Sequence, residues 1–219
     1  MKRFFIISCF LLFNTASLFA QNIDPDLLKI KQRMDSISKF TANLKLDVDI
    51  DFINMPSKKA SMSYTKGKPV RFSSQDFVMI PKRGLDFSLN RLFEYPFITV
   101  PRGEEMRKGK KYKAINIIPT DNKADFSIAL VLLDLPNGRV AETEINTKKD
   151  GTYNLVMNYE NNTKILPALV KVSFEIEKIK IPLNFMGKDT DIDRKKMRSD
   201  GMKTGKIYLT ISNYQITHL

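Results

Sequence analysis

Between residues 44 and 52 the chain changes character at every step. Leu44, Leu46, Val48, Ile50 and Phe52 are apolar, and Lys45, Asp47, Asp49 and Asp51 alternate with them. Successive side chains of a strand point to opposite faces, so this pattern puts the apolar groups on one side and the charges on the other. Such a strand belongs to an antiparallel sheet with one wet face. Ala60, Met62 and Tyr64 carry the rhythm into a second strand. The turn Lys66-Gly67-Lys68-Pro69 leads to a third, with Val70 and Phe72, and an apolar run at 77–80 makes a fourth. Further strands are predicted over 97–100, 112–118, 126–133, 139–146, 152–159, 171–178 and 205–217. Asn137-Gly138 and Asp150-Gly151 are hairpin signals between some of them.

Helical spacing interrupts this rhythm. Leu27, Ile30, Met34, Ile37 and Phe40 recur as on one helix face, with Asp24 or Asp26 as cap and Pro25 in the first turn. Leu85, Leu89, Leu92 and Phe93 predict a short helix or helical loop over 83–95, bounded by Gly84 and Pro96. A last helix is expected to start at Asp189 or Asp191 and end near Gly201. The fold class is α+β, mostly β. A strongly curved antiparallel sheet is expected, its concave face apolar and covered by helices.

The first residues change where this domain must work. Lys2 and Arg3 precede an apolar stretch containing Phe4, Phe5, Ile6, Ile7, Phe10, Leu11, Leu12 and Phe13. An exit from Ser17 to Ala20 with small residues at both ends follows, so residues 1–20 read as a cleaved signal peptide and 21–219 as a single domain. The stretch is shorter than the roughly 20 apolar residues that span a bilayer. Cys9, the one cysteine, lies in that leader, so no disulfide is expected and a buried core must hold the fold. The chain carries 36 basic against 24 acidic residues. On an exported protein this excess suits an anionic membrane surface or acidic lipid head groups rather than nucleic acid, though it also serves solubility.

Candidate chemistry is sparse. His218, the single histidine, is penultimate and reads as a solvated tail. Without it and without a mature cysteine, the common nucleophile–base pairs and a His- or Cys-based zinc site cannot be assembled. Asp47, Asp49 and Asp51 read as a solvated strand face. Asp189, Asp191 and Asp193 resemble the start of a calcium loop, but Arg194 and Asp200 stand where glycine and glutamate are needed. The run Arg107, Lys108, Lys110, Lys111 and Lys113 reads as an exposed hairpin tip, or as a contact for lipid phosphates. No enzyme, cofactor or metal is expected. Fifteen phenylalanines and ten methionines, with no tryptophan, favour a plastic apolar interior. The residues alone leave open whether that interior holds a guest or only fills a core.

The order of these elements resembles the outer-membrane lipoprotein carrier superfamily, the periplasmic lipoprotein-sorting proteins. The matching stretches are 44–52, 64–72 (YTKGKPVRF) and 205–217 (GKIYLTISNYQIT). The resemblance implies an open half-barrel whose helices lid a hydrophobic cavity, and a periplasmic, non-catalytic, monomeric carrier of lipid or of lipoprotein acyl chains. Leu44, Leu46, Val48, Ile50, Phe52, Met62, Tyr64, Phe72 and Met79 would line the cavity. Leu27, Ile30, Met34, Leu89, Leu92 and Phe93 would form the lid, and Arg71, Lys82 and Arg83 would meet head groups. Carriers of that family have an arginine–tryptophan pair where this chain has Arg71-Phe72. The alternative is an exported structural or protein-interaction module with a filled core.

Overall fold

The computed structural model describes residues 23–74, 92–177 and 189–219. The leader, the apolar run at 77–80, and Met79, Lys82, Arg83 and Leu89 lie outside the described residues.

A helix opens the described chain. Helix α1, Pro25–Asp35, is capped by Asp24, whose carboxylate accepts from the backbone N–H groups of Asp26 and Leu27. The predicted helix ends early. Strand β1, Ile37–Asp49, already contains Ile37 and Phe40. Their helix-like spacing of three has another origin. A bulge between Ile37 and Lys39 inserts one residue against the partner strand. One extra residue reverses the alternation, so Ile37 and Phe40 share the buried face with Ala42, Leu44 and Leu46.

The remaining elements are β2, Ile53–Asn54; β3, Lys58–Thr65; β4, Arg71–Ser73; β5, Phe97–Arg107; and β6, Lys110–Pro119. They continue with β7, Phe126–Asp134; β8, Arg139–Thr147; β9, Thr152–Asn158; β10, Leu169–Ile176; β11, Asp191–Ile192; helix α2, Arg194–Arg198; and β12, Lys203–His218. Ten strands form one sheet in the order β4-β3-β1-β12-β10-β9-β8-β7-β6-β5. Every neighbouring pair is antiparallel. The sheet does not close: β4 is one edge and β5 the other. Further register shifts in β5 and β7 bend it. The result is the open half-barrel, with α1 over its inner face.

Several local expectations need correction. Arg107, Lys108, Lys110 and Lys111 form the exposed tip of the β5–β6 hairpin, whereas Lys113 is half-buried along β6, and β5 extends to Arg107 rather than stopping near residue 100. Lys108 and Gly109 turn that tip with φ of 50° and 74°. Asp193, not Asp189 or Asp191, caps the last helix, which stops at Arg198. Asp191 and Ile192 instead pair with Asn54 and Ile53 in a two-stranded sheet. Of the helix or helical loop expected over 83–95, only 92–95 fall among the described residues, and there Leu92 and Phe93 form a turn that leads through Pro96 into β5. The C-terminus is not a loose tail: His218 pairs with Ile37, and the Leu219 N–H donates to the Ser36 carbonyl.

Candidate functional site

The inner face of the sheet is built by period-two alternation. Leu44 and Leu46 on β1, Met62 on β3, Val170 and Val172 on β10, and Leu209 and Ile211 on β12 are all buried there. Ile115 and Ile117 on β6 and Ala129 and Val131 on β7 continue the same surface. Leu27 and Ile30 press down on it from α1, 0 % and 2 % exposed. Met34, one turn on, is half-buried against the same cluster.

Side chains fix both ends of α1. At its start, Lys113 reaches up from β6, an inward position in line with Ile115 and Ile117. Its Nζ lies 2.7 Å from an Asp24 carboxylate oxygen and 2.8 Å from one of Asp26. The Asp24 N–H also donates to Thr99 Oγ1 of β5 at 2.7 Å. Hydrogen bonding from Lys113 holds the Asp26 carboxyl below its ordinary range against the opposing effect of burial, and Lys29 assists. Burial works against the Lys113 ammonium, but its bonds to Asp24 and Asp26 outweigh that and raise its pKa. At the other end, Arg33 donates to the carbonyls of Asn137, Gly138 and Thr163, bridging the β7–β8 turn and the β9–β10 loop. That loop is itself held by Arg139, 7 % exposed, which lies 4.1 Å over the Tyr159 ring and donates to the Asn161 and Lys164 carbonyls.

The residues expected to line a cavity divide into groups. Leu44, Leu46 and Met62 are buried in the main cluster beneath α1, and Tyr64 and Phe72 pack half-buried beside them. Tyr64 stacks on Phe40 with ring centroids 5.2 Å apart. Ile50 and Phe52 separate from these. They join Ile53, Phe174 and Ile176 in a second, smaller cluster beyond the end of β1, and Val48 touches both. Of the expected lid, Leu27, Ile30 and Leu92 are buried, Met34 and Phe93 partly so. Phe93 sits beside Phe97 at 5.1 Å, with the Lys31 ammonium 5.6 Å from its ring.

Arg71 faces outward. It pairs with Ser63, while its neighbour Phe72 pairs with the buried Met62. Even so, Arg71, Met62 and Phe72 line one cleft of about 920 Å³ at the β4 edge, together with Tyr214. Asn213 gives that cleft its shape. It takes a φ of 55° at a bulge in β12, which turns Tyr214 inward to donate to the Pro167 carbonyl at 2.9 Å.

Lys113, Arg33 and Lys58 carry roles that composition hid. Lys58 is 2 % exposed and pairs with Asp189. Its signal was available: Lys58 shares parity with Ala60, Met62 and Tyr64, and Lys113 with Ile115 and Ile117. Among the described residues no cluster of three or more potential metal ligands occurs, and no helix is long and apolar enough to cross a membrane.

No family model matches the chain, and neither does any curated protein. Solved structures do. A domain from Vibrio parahaemolyticus assigned as an outer membrane lipoprotein-sorting protein superposes with a TM-score of 0.50 at 13% identity, over 88% of this chain and 91% of that one. A LolA superfamily protein from Nitrosomonas europaea gives 0.47 at 11% identity, over 88% and 94%. A DUF1329 family protein from Desulfovibrio piger gives 0.46 at 12%, over 88% and 93%. The likeness is one of architecture: this chain shares the fold of the Vibrio parahaemolyticus lipoprotein-sorting domain.

Proposed function

We propose that this protein is a periplasmic, non-catalytic carrier that shelters the acyl chain of a lipid-modified protein, or of another amphiphile, against the inner face of its half-barrel. The observation that carries this reading is an unclosed sheet with an apolar inner face, covered by a helix whose ends are fastened by Lys113 and Arg33. The physical need is large. An acyl chain of about 14 carbons carries on the order of 11 kcal/mol of transfer free energy at roughly 0.8 kcal/mol per methylene. A lipid leaves a membrane only when a protein surface takes the place of that apolar medium. Shape and apolar area are enough for the task, and no reactive group is required. The cleft shared by Met62, Phe72 and Arg71 suits the join between chain and head group. Arg71 there offers a cation at the rim rather than inside.

A filled-core interaction module is the competing reading. It is favoured by the contact of Leu27 and Ile30 with the same cluster as Leu44, Leu46 and Met62, which leaves those residues already covered. Native mass spectrometry of protein purified gently from an exporting host separates the two. The carrier reading expects a co-purifying amphiphile and binding of a fluorescent fatty acid that an unlabelled one displaces. Absence of both would leave the interaction module.

A further inference from the structure

A second cleft, of about 710 Å³, lies away from α1, between the start of β12, α2 and the chain after β1. Phe52 and Phe174 of the smaller cluster line it, and Met202 stands at its lip, 50 % exposed. Lys203 lines it as well, yet is only 8 % exposed. Its Nζ donates to Ser199 Oγ at 2.8 Å and reaches the Asp200 carbonyl at 3.5 Å, both neutral acceptors. Among the described residues no carboxylate stands within ion-pair distance of it. The contrast with the other deeply buried lysine is direct, because Lys58 has Asp189.

An ammonium removed from water without a counter-charge is costly, and a ligand anion would relieve that cost. Long-range field does not select the ligand. Asp49, Asp51 and Glu175 line the same cleft against Lys196, Lys203 and Lys206, and Lys206 lies 4.0 Å from Asp49. A bare anion is therefore repelled about as much as attracted. One that also covers Phe52, Phe174 and Met202 gains from both the buried cation and the apolar wall.

We propose that this cleft binds a single-chain amphiphile with a phosphate or carboxylate head, the head paired with Lys203 and the chain against Phe52, Phe174 and Met202. The site is separate from the face under α1 and does not depend on the carrier reading.

The test uses the whole mature chain, followed by backbone amide NMR during titration with dodecyl phosphate, dodecanoate and dodecyl maltoside below micelle-forming concentrations. One or both charged probes should shift the amides of residues 199–206, and the neutral-headed maltoside should not; the phosphate and carboxylate arms identify the head. K203M should weaken that binding about tenfold or more, as expected for a lost charge-assisted bond, and K203R should retain it. The proposal is overturned if all three probes bind alike, if the charged probes shift only amides under α1, such as those of Leu44 and Leu46, or if K203M binds as the parent does. Should K203M not fold, the shift map of the parent chain and the K203R titration decide the matter.

Discussion

At the scale of single residues, glycine and lysine do work that their usual surface roles conceal. Gly205 sits at an inward position of β12, on the same face as Lys203 and Ile207, whose side chains enter the interior. A Cβ there would stand 2.6 Å from Ile50 Cγ1 and 2.6 Å from Phe174 Cζ. The missing side chain lets the chain after β1 fold back over the sheet and close the smaller cluster. Gly205→Ala should therefore destabilise the protein by about 1–3 kcal/mol through overpacking. At roughly 2–4 °C per kcal/mol for a chain of this size, a thermal melt reads this as a drop of several degrees. An unchanged melting temperature would mean that Ile50 and Phe174 shift freely and that the smaller cluster is loosely packed. Lys58 and Lys113 teach a related lesson. A lysine on the apolar side of a strand is easily read as a break in the pattern, whereas each here has an acidic partner waiting across the fold.

Among elements, the strands were legible and the boundaries less so. The alternation from 44 onward placed β1 correctly, because a half-buried strand sorts its side chains by parity alone. Its two ends escaped that logic. At the start, a bulge imitated helical spacing at Ile37 and Phe40. At the finish, Ile50 and Phe52 kept the alternation while the backbone left the sheet, so they bury in a different cluster from Leu44 and Leu46. Local patterning records which side of the chain is apolar, not which body it meets.

The tie between α1 and the sheet was illegible for the same reason, since it joins Asp24 and Asp26 to a lysine 89 and 87 positions away. It makes a prediction about pH. Asp26 has its pKa depressed in the folded state, so its contribution is present above the ordinary value of 3.8 and is lost as pH falls through the lower folded value. Lys113 has its pKa raised, so its contribution is complete below the ordinary 10.5 and is lost as pH rises through the higher folded value. The stability difference between the parent and Lys113→Met should thus hold steady across neutral pH. It should shrink in acid below pH 3.8 and in alkali above 10.5. Urea titrations at several pH values measure it, and a difference independent of pH would show that Lys113 contributes by packing its methylenes alone. Amide exchange should show the first turn of α1 loosening in the variant, while the end held by Arg33 stays protected.

For the whole molecule, the decisive fact is that the last strand lies in the middle. β12 is hydrogen-bonded to β1 on one side and to β10 on the other. The sheet therefore consists of an early part, β4, β3 and β1, and a later part, β10 back to β5, which among the described residues share no strand pairing until the C-terminal residues arrive. The later part is a run of strands each paired with the next in sequence, from β5 to β10, which gathers contacts locally. The early part cannot join it until a loop of more than a hundred residues closes, and such non-local pairing slows folding to milliseconds or seconds. A chain ending before Lys203 should keep strand signal in circular dichroism, because the β5–β10 run remains. It should lose the cooperative melt and expose the apolar faces of β1 and β10, so that it binds a hydrophobic dye and aggregates. Shortening the chain only after Tyr214 should do far less. Leu209 and Ile211 remain between Leu44, Leu46 and Val170, and only the exposed end of the β1–β12 ladder is lost. A truncation before Lys203 that still melted in one sharp transition would show that the early strands find the later ones through α1 instead. The tie at Lys113 would then be the joint that brings the early and later strands together.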